Sequence, residues 1–551
     1  MRFTLKPVWV ILIIVLYGLV FLVPFSGAVH LFDWDEIIFA ESAREMIITR
    51  DYLTVMINYE PFWEKPPLFI WFQVLSMKMF GINEFAARFP NAICGILTLV
   101  TLFLAGRKFH GNRFGMLWSM SYATAILPFF YFQTGIIDPW FNFFIFLGIL
   151  FFVFFLESRR AARRYLQVAL SAFFLGLAVL TKGPVAVLIF AIAFGIFLFI
   201  RRGKIHAAPM HVVVFSLVLL LTGGSWFLVS ILNGNFDVVR EFIVYQAGLF
   251  SDDFAGHSGF PGFHFVILLF GVFPSSVIML KGFTKKKESE PGADTMRTWM
   301  YIVLALVLVV FSLVQTKLVH YSSLAWFPAT FISAWVIHHW LDRKLEIKRW
   351  QVVLLGGIGT VYVLLTILIP TVMRNPGVFI DRFPQLIDPY VEGVLRTDAG
   401  WGVLAYFPAI LLLGGLIYSL PRIRKRDLRG LLMLHVITFL FTFSLMLLYV
   451  PKVEKMIQGP AIAFLEEQAG TDNRVVALGF KSFAPYFYGE WMPGELPGDK
   501  EDWINGDRDG HPLYVVMKAD NSTKVMQKYP RLMIMDKQGG YVFAILMPEP
   551  D

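Results

Sequence analysis

The sequence predicts an all-α polytopic membrane domain followed by a small α/β domain. Of the 551 residues, 57% are hydrophobic and only 16% are charged, which is more apolar surface than a water-soluble fold can bury. Roughly thirteen apolar runs of membrane-spanning type follow one another up to about residue 450. Beyond that point, short runs that are typical of strands replace them. We therefore predict a transmembrane domain over residues 1–450 and an extracytoplasmic α/β domain over residues 451–551.

The basic residues between the apolar runs predict the orientation of the chain. When the runs are counted as spans, the strongly basic turns at 107–113, 159–164 and 422–429 all fall on one side, and such turns face the cytoplasm. The net charge of +8 is spread over these short turns, so nucleic acid is not an expected partner. The run 8–23 also resembles a signal peptide, but we interpret it as an uncleaved first span. Either interpretation puts Asp33 outside the cytoplasm.

Charged side chains concentrate after this first run, between Asp33 and Trp71. Two clusters border the neighbouring apolar runs: Asp33-Trp34-Asp35-Glu36 and Trp63-Glu64-Lys65-Pro66-Pro67. Charge beside lipid has to be solvated or paired, so this stretch is either a water-facing loop or a site. The same counting of spans places further polar residues at the same extracytoplasmic face, namely Asp138, Lys182, His257, Lys317 and His320.

A carboxylate at the water–lipid boundary, with cations from separate loops near it, suits the transfer of a group from a lipid phosphate carrier. An acceptor hydroxyl is a weak nucleophile, so a carboxylate has to accept its proton in the transition state. The departing phosphate gains negative charge and needs donors that are already in position. We assign Asp35 as the general base and Lys65 as the first phosphate ligand. No Walker A pattern occurs and no G-x-G-x-x-G motif follows a strand, so the sequence carries no nucleotide-binding motif.

Several motifs occur in an order that is known from one class of enzymes. They are Asp35-Glu36, Ala40-Glu41-Ser42-Ala43-Arg44-Glu45-Met46, Glu64-Lys65-Pro66-Pro67-Leu68, Glu84-Phe85-Ala86-Ala87-Arg88-Phe89-Pro90, Leu180-Thr181-Lys182-Gly183-Pro184 and Lys317-Leu318-Val319-His320-Tyr321 with Phe327-Pro328. Together they resemble the bacterial glycosyltransferases of the GT-C class, in particular the lipid A aminoarabinose transferases and the protein O-mannosyltransferases. The combination is specific, although each motif alone is not.

The resemblance implies an inverting transfer of a sugar from a polyprenyl-phosphate donor to a hydroxyl or phosphate of a lipid, glycan or protein acceptor. It places this reaction at the extracytoplasmic face of the bacterial inner membrane. By motif match, Asp35 is the expected base and Asp138 a second acid at the cavity. The residues expected to contact the substrate are Glu36, Lys65, Lys182, Lys317, His320 and Tyr321.

No cofactor is expected to be required for this chemistry. Glu64 and His257 are a candidate pair of zinc ligands, because a carboxylate and an imidazole hold zinc in the aminoarabinose enzymes that the chain resembles. Two ligands are too few for a closed zinc site, and their spacing is not diagnostic.

An alternative function is that of a transporter or flippase for a lipid-linked anionic substrate, which would also gather cations in a membrane cavity. Such proteins usually have internal repeats and polar residues near the middle of their spans, whereas here no clear repeat occurs and the charges gather at one face. A scaffold whose outer domain binds cell-wall material is a third class, but it does not need consistently charged loops.

The site residues also have structural alternatives. The acids at 33–36 suit a solvated helix start, and a lysine or an aromatic residue suits the membrane interface. The remaining alternatives are a loop cap for Asp138, a topology anchor for Lys182 and a plain surface position for His257.

Overall fold

The computed structural model describes residues 5–248, 259–283, 292–314, 317–471, 473–493, 504 and 512–547. Most of these residues are helical, and a four-stranded sheet lies near the C-terminal end. His257, one of the two predicted zinc ligands, lies outside the described residues.

The first part of the chain forms helices and one short hairpin. In chain order the helices are α1 (Pro7–Phe21), α2 (Asp35–Thr49), α3 (Leu68–Phe80), α4 (Glu84–His110), α5 (Asn112–Ala123), α6 (Ile126–Tyr131), α7 (Asp138–Glu157), α8 (Ala161–Lys182), α9 (Val185–Ile200), α10 (Pro209–Gly223), α11 (Ser225–Leu232) and α12 (Phe236–Gly248). Strands β1 (Met56–Ile57) and β2 (Glu60–Pro61) pair antiparallel between α2 and α3.

The second part of the chain continues the helical bundle and leads into the sheet. Its helices are α13 (Phe263–Gly271), α14 (Ser275–Met279), α15 (Ala293–Leu313), α16 (Trp326–Leu341), α17 (Arg349–Arg374), α18 (Pro376–Arg382), α19 (Pro389–Arg396), α20 (Phe407–Arg424), α21 (Leu428–Leu448), α22 (Val450–Ile457), α23 (Gly459–Gln468), α24 (Ala484–Tyr488) and α25 (Ala519–Lys528). A 3₁₀ helix, Val319–Ala325, precedes α16.

Among the described residues, seven helices are long and apolar enough to cross a membrane, and the number rises to nine if two bent pairs of helices each count as one span. The protein is therefore a multi-pass membrane protein, as the composition predicted. The count of about thirteen spans included shorter apolar runs. One of these, 114–134, is divided between α5 and α6, because the helix breaks at Thr124 and Ala125.

Helix ends place the polar motifs at one end of this bundle. Helix α7 begins at Asp138 with Pro139 in its first turn. An acid at this position suits the helix dipole, and proline costs no helical hydrogen bond there because the first N–H groups of a helix have no partner within it. Helix α8 ends at Lys182 because Gly183 adopts a φ of +91°, a conformation that residues with a Cβ rarely adopt. Asp138 and Lys182 are therefore the end residues of two candidate spans and do not lie near the middle of either.

The C-terminal part of the chain contains a mixed sheet with the strand order β3-β4-β6-β5. Its strands are β3 (Arg474–Leu478), β4 (Leu513–Lys518), β5 (Met533–Gln538) and β6 (Tyr541–Leu546). Strands β3 and β4 are parallel, whereas β6 pairs antiparallel with both β4 and β5. Helix α25 connects β4 to β5. Strand-like and helix-like patterns after residue 451 predicted this small α/β unit.

Strands β3, β4 and β6 are packed on both of their faces, since alternate side chains of a strand point to opposite sides. The edge strand β5 is exposed along its whole length. Val476 and Val515 belong to a core cluster that also includes Leu478 and Val525 of α25. Their neighbours, such as Val516, belong instead to the main core of the helical bundle. This second face attaches the sheet to the helices at the end of the bundle where the charged motifs lie.

Candidate active site

The ends of four helical segments and one turn bring five of the predicted residues together. Asp35 begins α2, Lys65 lies in the turn before α3, Asp138 begins α7, Lys182 ends α8 and His320 lies in the 3₁₀ helix before α16. Each of the five interacts electrostatically with others of the group. The prediction that residues from distant turns meet around Asp35 therefore agrees with the geometry.

Asp138 and Lys182 form the most closely packed pair of this cluster. The Lys182 Nζ lies 2.5 Å from the Asp138 Oδ1, and the Asp138 side chain is buried. The same ammonium lies 5.4 Å from the centre of the Tyr321 ring and 5.8 Å from that of Phe141. Cation–π contacts of this length are favourable when the cation is partly shielded from water. Asp138 therefore compensates and orients Lys182 within the cluster.

Asp35 is the accessible acid of the cluster, with 44% of its side chain exposed. Its Oδ2 lies 3.8 Å from the Nε2 of His320, which is longer than a hydrogen bond. Burial lowers the pKa of the His320 imidazole, so this ring is neutral at physiological pH. Asp35 thus has an imidazole beside it and an open side toward solvent, where a further molecule has access to its carboxylate.

Lys65 approaches the cluster from the turn before α3. Its Nζ lies 3.5 Å from the Glu64 Oε2 and 5.6 Å from the centre of the Tyr245 ring. Burial lowers the pKa of the Lys65 ammonium, and the neighbouring Lys182 lowers it further. The Tyr245 side chain is hydrogen-bonded to Glu64. No sequence signal points to Tyr245 of α12, because one aromatic residue in a stretch rich in aromatic residues is not distinctive.

Glu36 is not brought to this cluster. Its carboxylate accepts hydrogen bonds from the Arg88 Nε at 2.9 Å and from the Arg88 Nη2 at 2.8 Å. The backbone N–H groups of Phe32, at 2.8 Å, and Gly135 also donate to it. Both Glu36 and Arg88 are buried, so all the partners of this carboxylate are parts of the fold. The predicted substrate ligand Glu36 instead holds α2 against α4.

Lys317 also has partners outside the cluster. Its Nζ donates to the carbonyl oxygens of Phe311, at 3.0 Å, Ser312, at 2.8 Å, and Val314. These carbonyls are at the C-terminal end of α15, where a helix lacks its own donors and where a cation suits the helix dipole. The structure therefore places Lys317 on a helix end, whereas its neighbours His320 and Tyr321 in the same motif face Asp35 and Lys182.

The predicted metal site has one described ligand, Glu64, which is hydrogen-bonded to Tyr245. Over the described ranges, no group of three or more His, Cys, Asp or Glu side chains has a geometry that could hold a metal ion. The zinc pair Glu64 and His257 stays a prediction.

The segment 30–34, which leads into Asp35, is held by residues from the C-terminal part of the chain. The Tyr488 hydroxyl lies 2.6 Å from the Leu31 N, the Gln458 Nε2 donates to the Leu31 carbonyl at 2.9 Å, and the Phe483 N donates to the Asp33 Oδ1 at 3.0 Å. These contacts fix the backbone of Trp34, which has a φ of +76°, an uncommon value for a residue other than glycine.

A second anchor joins α2 to the C-terminal part of the chain. The buried guanidinium of Arg44 pairs with Glu41 and donates to the carbonyl oxygens of Tyr486, at 3.2 Å, and Trp491, at 2.6 Å. The helix that begins with Asp35 is therefore held just before its first residue and again at Arg44 by residues more than 400 positions away. No pattern in the sequence connects these residues.

Comparisons with known proteins give a family match and several curated relatives. Residues 64–226 match the family of dolichyl-phosphate-mannose-protein mannosyltransferases. The undecaprenyl phosphate-alpha-4-amino-4-deoxy-L-arabinose arabinosyl transferase of Serratia proteamaculans is 25% identical over 58% of this chain and 57% of its own length. The enzyme of the same name from Pectobacterium atrosepticum is 24% identical over 63% of each chain. Matches to the first curated relatives thus cover 41% to 63% of their length.

A solved structure covers nearly the whole chain. ArnT from Cupriavidus metallidurans, crystallised with undecaprenyl phosphate, has a TM-score of 0.76 over 99% of this chain and 100% of its own, at 18% sequence identity. The chain has a GT-C fold of the ArnT type. This ArnT-type fold confirms the predicted resemblance to the aminoarabinose transferases, and the match at 64–226 confirms the predicted relation to the O-mannosyltransferases. It also confirms a helical membrane bundle that carries a small C-terminal sheet.

Proposed function

We propose that the protein is an integral-membrane glycosyltransferase, which moves a sugar from a polyprenyl-phosphate carrier to an acceptor hydroxyl or phosphate. The observation that carries the proposal is the meeting of Lys65 and Lys182 with the accessible Asp35 at one end of the helical bundle. The arabinosyl transferases named above, and the undecaprenyl phosphate bound to the C. metallidurans protein, support a donor of this class.

In the proposed reaction the acceptor oxygen attacks the anomeric carbon of the donor sugar. The proton of the acceptor passes to the carboxylate of Asp35, and the bond between the anomeric carbon and the phosphate oxygen breaks. Its electron pair stays on the polyprenyl phosphate, whose added charge is stabilised by the ammonium groups of Lys65 and Lys182. Because the acceptor attacks opposite the departing phosphate, one such step inverts the anomeric configuration.

Three further side chains assist these groups. Asp138 holds the Lys182 ammonium, with 2.5 Å between Oδ1 and Nζ, so that the cation is in position before the donor arrives. The neutral imidazole of His320 lies beside Asp35 and is available to hydrogen-bond the acceptor as it delivers its proton. Tyr321 offers its ring to Lys182 and its hydroxyl to the donor phosphate.

We further propose that this reaction takes place outside the cytoplasm. The cluster lies at the helix ends opposite the basic turns 107–113 and 159–164, which the positive-inside rule assigns to the cytoplasm. Polyprenyl-linked sugars, unlike nucleotide sugars, need no nucleotide-binding fold, which agrees with the absence of such motifs from the sequence.

The proposal is tested with purified protein in lipid nanodiscs and a panel of synthetic undecaprenyl-phosphate sugars, together with an envelope extract as the source of acceptors. We expect at least one donor to be consumed, with undecaprenyl phosphate released and the labelled sugar recovered in a glycolipid, glycan or protein fraction by mass spectrometry. A protein that moved intact donors across proteoliposomes and consumed none of them would instead be the transporter of the alternative hypothesis.

The pH dependence of donor binding reports on Lys65. Because the pKa of its ammonium lies below the usual value of about 10.5, the charge is lost earlier as the pH rises. We expect the Kd of undecaprenyl phosphate to rise with pH on the alkaline side, beginning below pH ~10.5. In Lys65→Arg this loss should move to higher pH, because a guanidinium stays charged. Lys65→Met should weaken binding by about tenfold or more at neutral pH. An alkaline limb that is the same in the wild type and in Lys65→Arg would show that Lys65 does not bind the phosphate.

A further inference from the structure

A cavity of about 140 Å³ lies where the parallel strands β3 and β4 end. Asp33 and Trp34, which directly precede Asp35, form one wall. Lys481, from the loop after β3, and Lys518, at the end of β4, form the opposite wall. At about 30 Å³ for each water, this space holds roughly five waters, which is the size range of a single sugar ring.

The two lysines give this cavity more positive than negative charge, because Asp33 is the one acidic residue among its described lining residues. The Lys481 Nζ lies 5.2 Å from the centres of the Trp34 and Phe483 rings, and the Lys518 Nζ lies 4.7 Å from that of Tyr390. In the part of the chain that the structure describes, neither ammonium forms an ion pair with a carboxylate. The Asp33 Oδ1 already accepts hydrogen bonds from the backbone N–H groups of Trp34 and Phe483. Two cations around a small concave space favour an anionic ligand.

Aromatic rings form much of the remaining lining. Tyr390 and Tyr541 both donate their hydroxyls to the carbonyl oxygen of Ile457, at 3.1 Å and 3.0 Å, so their polar ends are fixed. Trp34 keeps half of its side chain exposed although it lies beside the cavity. Flat apolar faces next to fixed cations suit a ring that has both C–H surface and charge. A polyprenyl tail, which has no charge to offer the lysines, does not match this lining.

We propose that this cavity is an acceptor subsite, which binds a sugar unit that carries a phosphate or carboxylate group. The anionic group lies between Lys481 and Lys518, and the ring packs against Trp34. This inference rests on the proposed function, since it assigns the acceptor side of the same reaction. The cations that bind the two substrates then come from different parts of the chain. The donor phosphate is bound by Lys65 and Lys182, and the anionic group of the acceptor is bound by Lys481 and Lys518.

Trp34 connects this subsite to the proposed base. Its backbone has a φ of +76° and is held by Asp33, whose carboxylate accepts the Phe483 N–H from the loop that also carries Lys481. A ligand packed on the indole therefore acts on the residue directly before Asp35. Acceptor binding and the position of the Asp35 carboxylate are coupled through this single peptide unit.

The test measures binding of soluble probes to the full-length protein in nanodiscs, with undecaprenyl phosphate at saturation so that the donor site is filled. The probes are glucose 1-phosphate, glucuronic acid, glucose and inorganic phosphate, and saturation-transfer NMR reports the binding of each. We expect the two anionic sugars to bind, glucose and phosphate alone to bind at least about tenfold more weakly, and Lys481→Gln/Lys518→Gln to weaken anionic-sugar binding about tenfold.

Lys524→Gln is the matched control, because Lys524 is an exposed lysine on α25 that does not line the cavity. It should bind the anionic sugars as the wild type does.

A second arm compares a phosphorylated glycolipid with its dephosphorylated form in the nanodisc. Competition between the phosphorylated glycolipid and glucose 1-phosphate identifies a lipid headgroup as the source of the ligand, and a lack of competition identifies a soluble glycan.

The subsite is refuted if the double variant and the wild type bind the anionic sugars equally, or if an unphosphorylated peptide displaces them. Retained binding of undecaprenyl phosphate in the same samples separates this failure from a failure of the proposed function, in which the donor lipid itself would not bind.

Discussion

Asp35→Asn is expected to lower the rate of sugar transfer by about 10²- to 10⁴-fold, because the amide has the shape of the carboxylate but cannot accept the proton of the acceptor. Binding of undecaprenyl phosphate should change by less than about threefold, since Lys65 and Lys182 hold the phosphate and both remain. Transfer is measured in single turnover with saturating donor, and binding is measured separately on the same sample. A large loss of rate with intact donor binding identifies a group that acts in the chemical step.

Glu60→Gln is the control for this experiment. Glu60 is an exposed acid of β2, in the same charged stretch as Asp35, and its carboxylate has no hydrogen-bond or ion-pair partner among the described residues. We expect this variant to transfer sugar as the wild type does. If Asp35→Asn transferred sugar at the wild-type rate, Asp35 would not be the base. If Glu60→Gln lost as much activity as Asp35→Asn, the loop as a whole would be sensitive to charge.

Arg88→Met is expected to destabilise the protein by about 3–5 kcal/mol, because it leaves the buried carboxylate of Glu36 without its cation. The Arg88 side chain is 3% exposed and that of Glu36 is 5% exposed, so water cannot replace the lost partner. Arg88 also donates to the carbonyl oxygens of Ser26, Val29 and His30, which lie before or at the start of the segment that positions Asp35. Unfolding in a single detergent, followed by intrinsic fluorescence, measures the change in free energy.

The double variant Glu36→Gln/Arg88→Met separates the ion pair from the packing of the arginine. It should be less destabilised than the sum of the two single variants, because removal of both charges leaves no buried charge unpaired. Arg159→Met, at an exposed arginine, should change stability by less than about 0.5 kcal/mol. Additive effects of the Glu36 and Arg88 substitutions would contradict an energetic coupling between these two residues.

Much of the candidate site could be predicted from the sequence, because its residues occur at the boundaries of apolar runs. Asp35, Lys65, Asp138 and Lys182 each border such a run, and the alternation of spans puts every second boundary on the same face. Residues on one face of a narrow bundle lie near one another. The pairing of Asp138 with Lys182, at 2.5 Å, then needs only the two helix ends to be neighbours, as α7 and α8 are.

The partners of single side chains were less predictable. Glu36 was expected at the substrate and instead pairs with Arg88, 52 positions away, although it directly follows Asp35 in the chain. Adjacent residues at a helix start point in different directions, about 100° apart around the axis, so one carboxylate faces the cluster and the other faces α4. A motif of two acids cannot distinguish these roles without the position of α4.

The sequence by itself determined the membrane class, the change from apolar helices to a small sheet near the C-terminal end, and the end of the bundle where charge gathers. These properties depend on hydropathy and charge, which each residue carries wherever it lies. Only the tertiary structure decided that Tyr488, Phe483 and Gln458 hold the segment before Asp35, and that Lys317 binds a helix end instead of facing the cluster. Such contacts join residues up to 457 positions apart, and they depend on how packed surfaces meet, which no local pattern records.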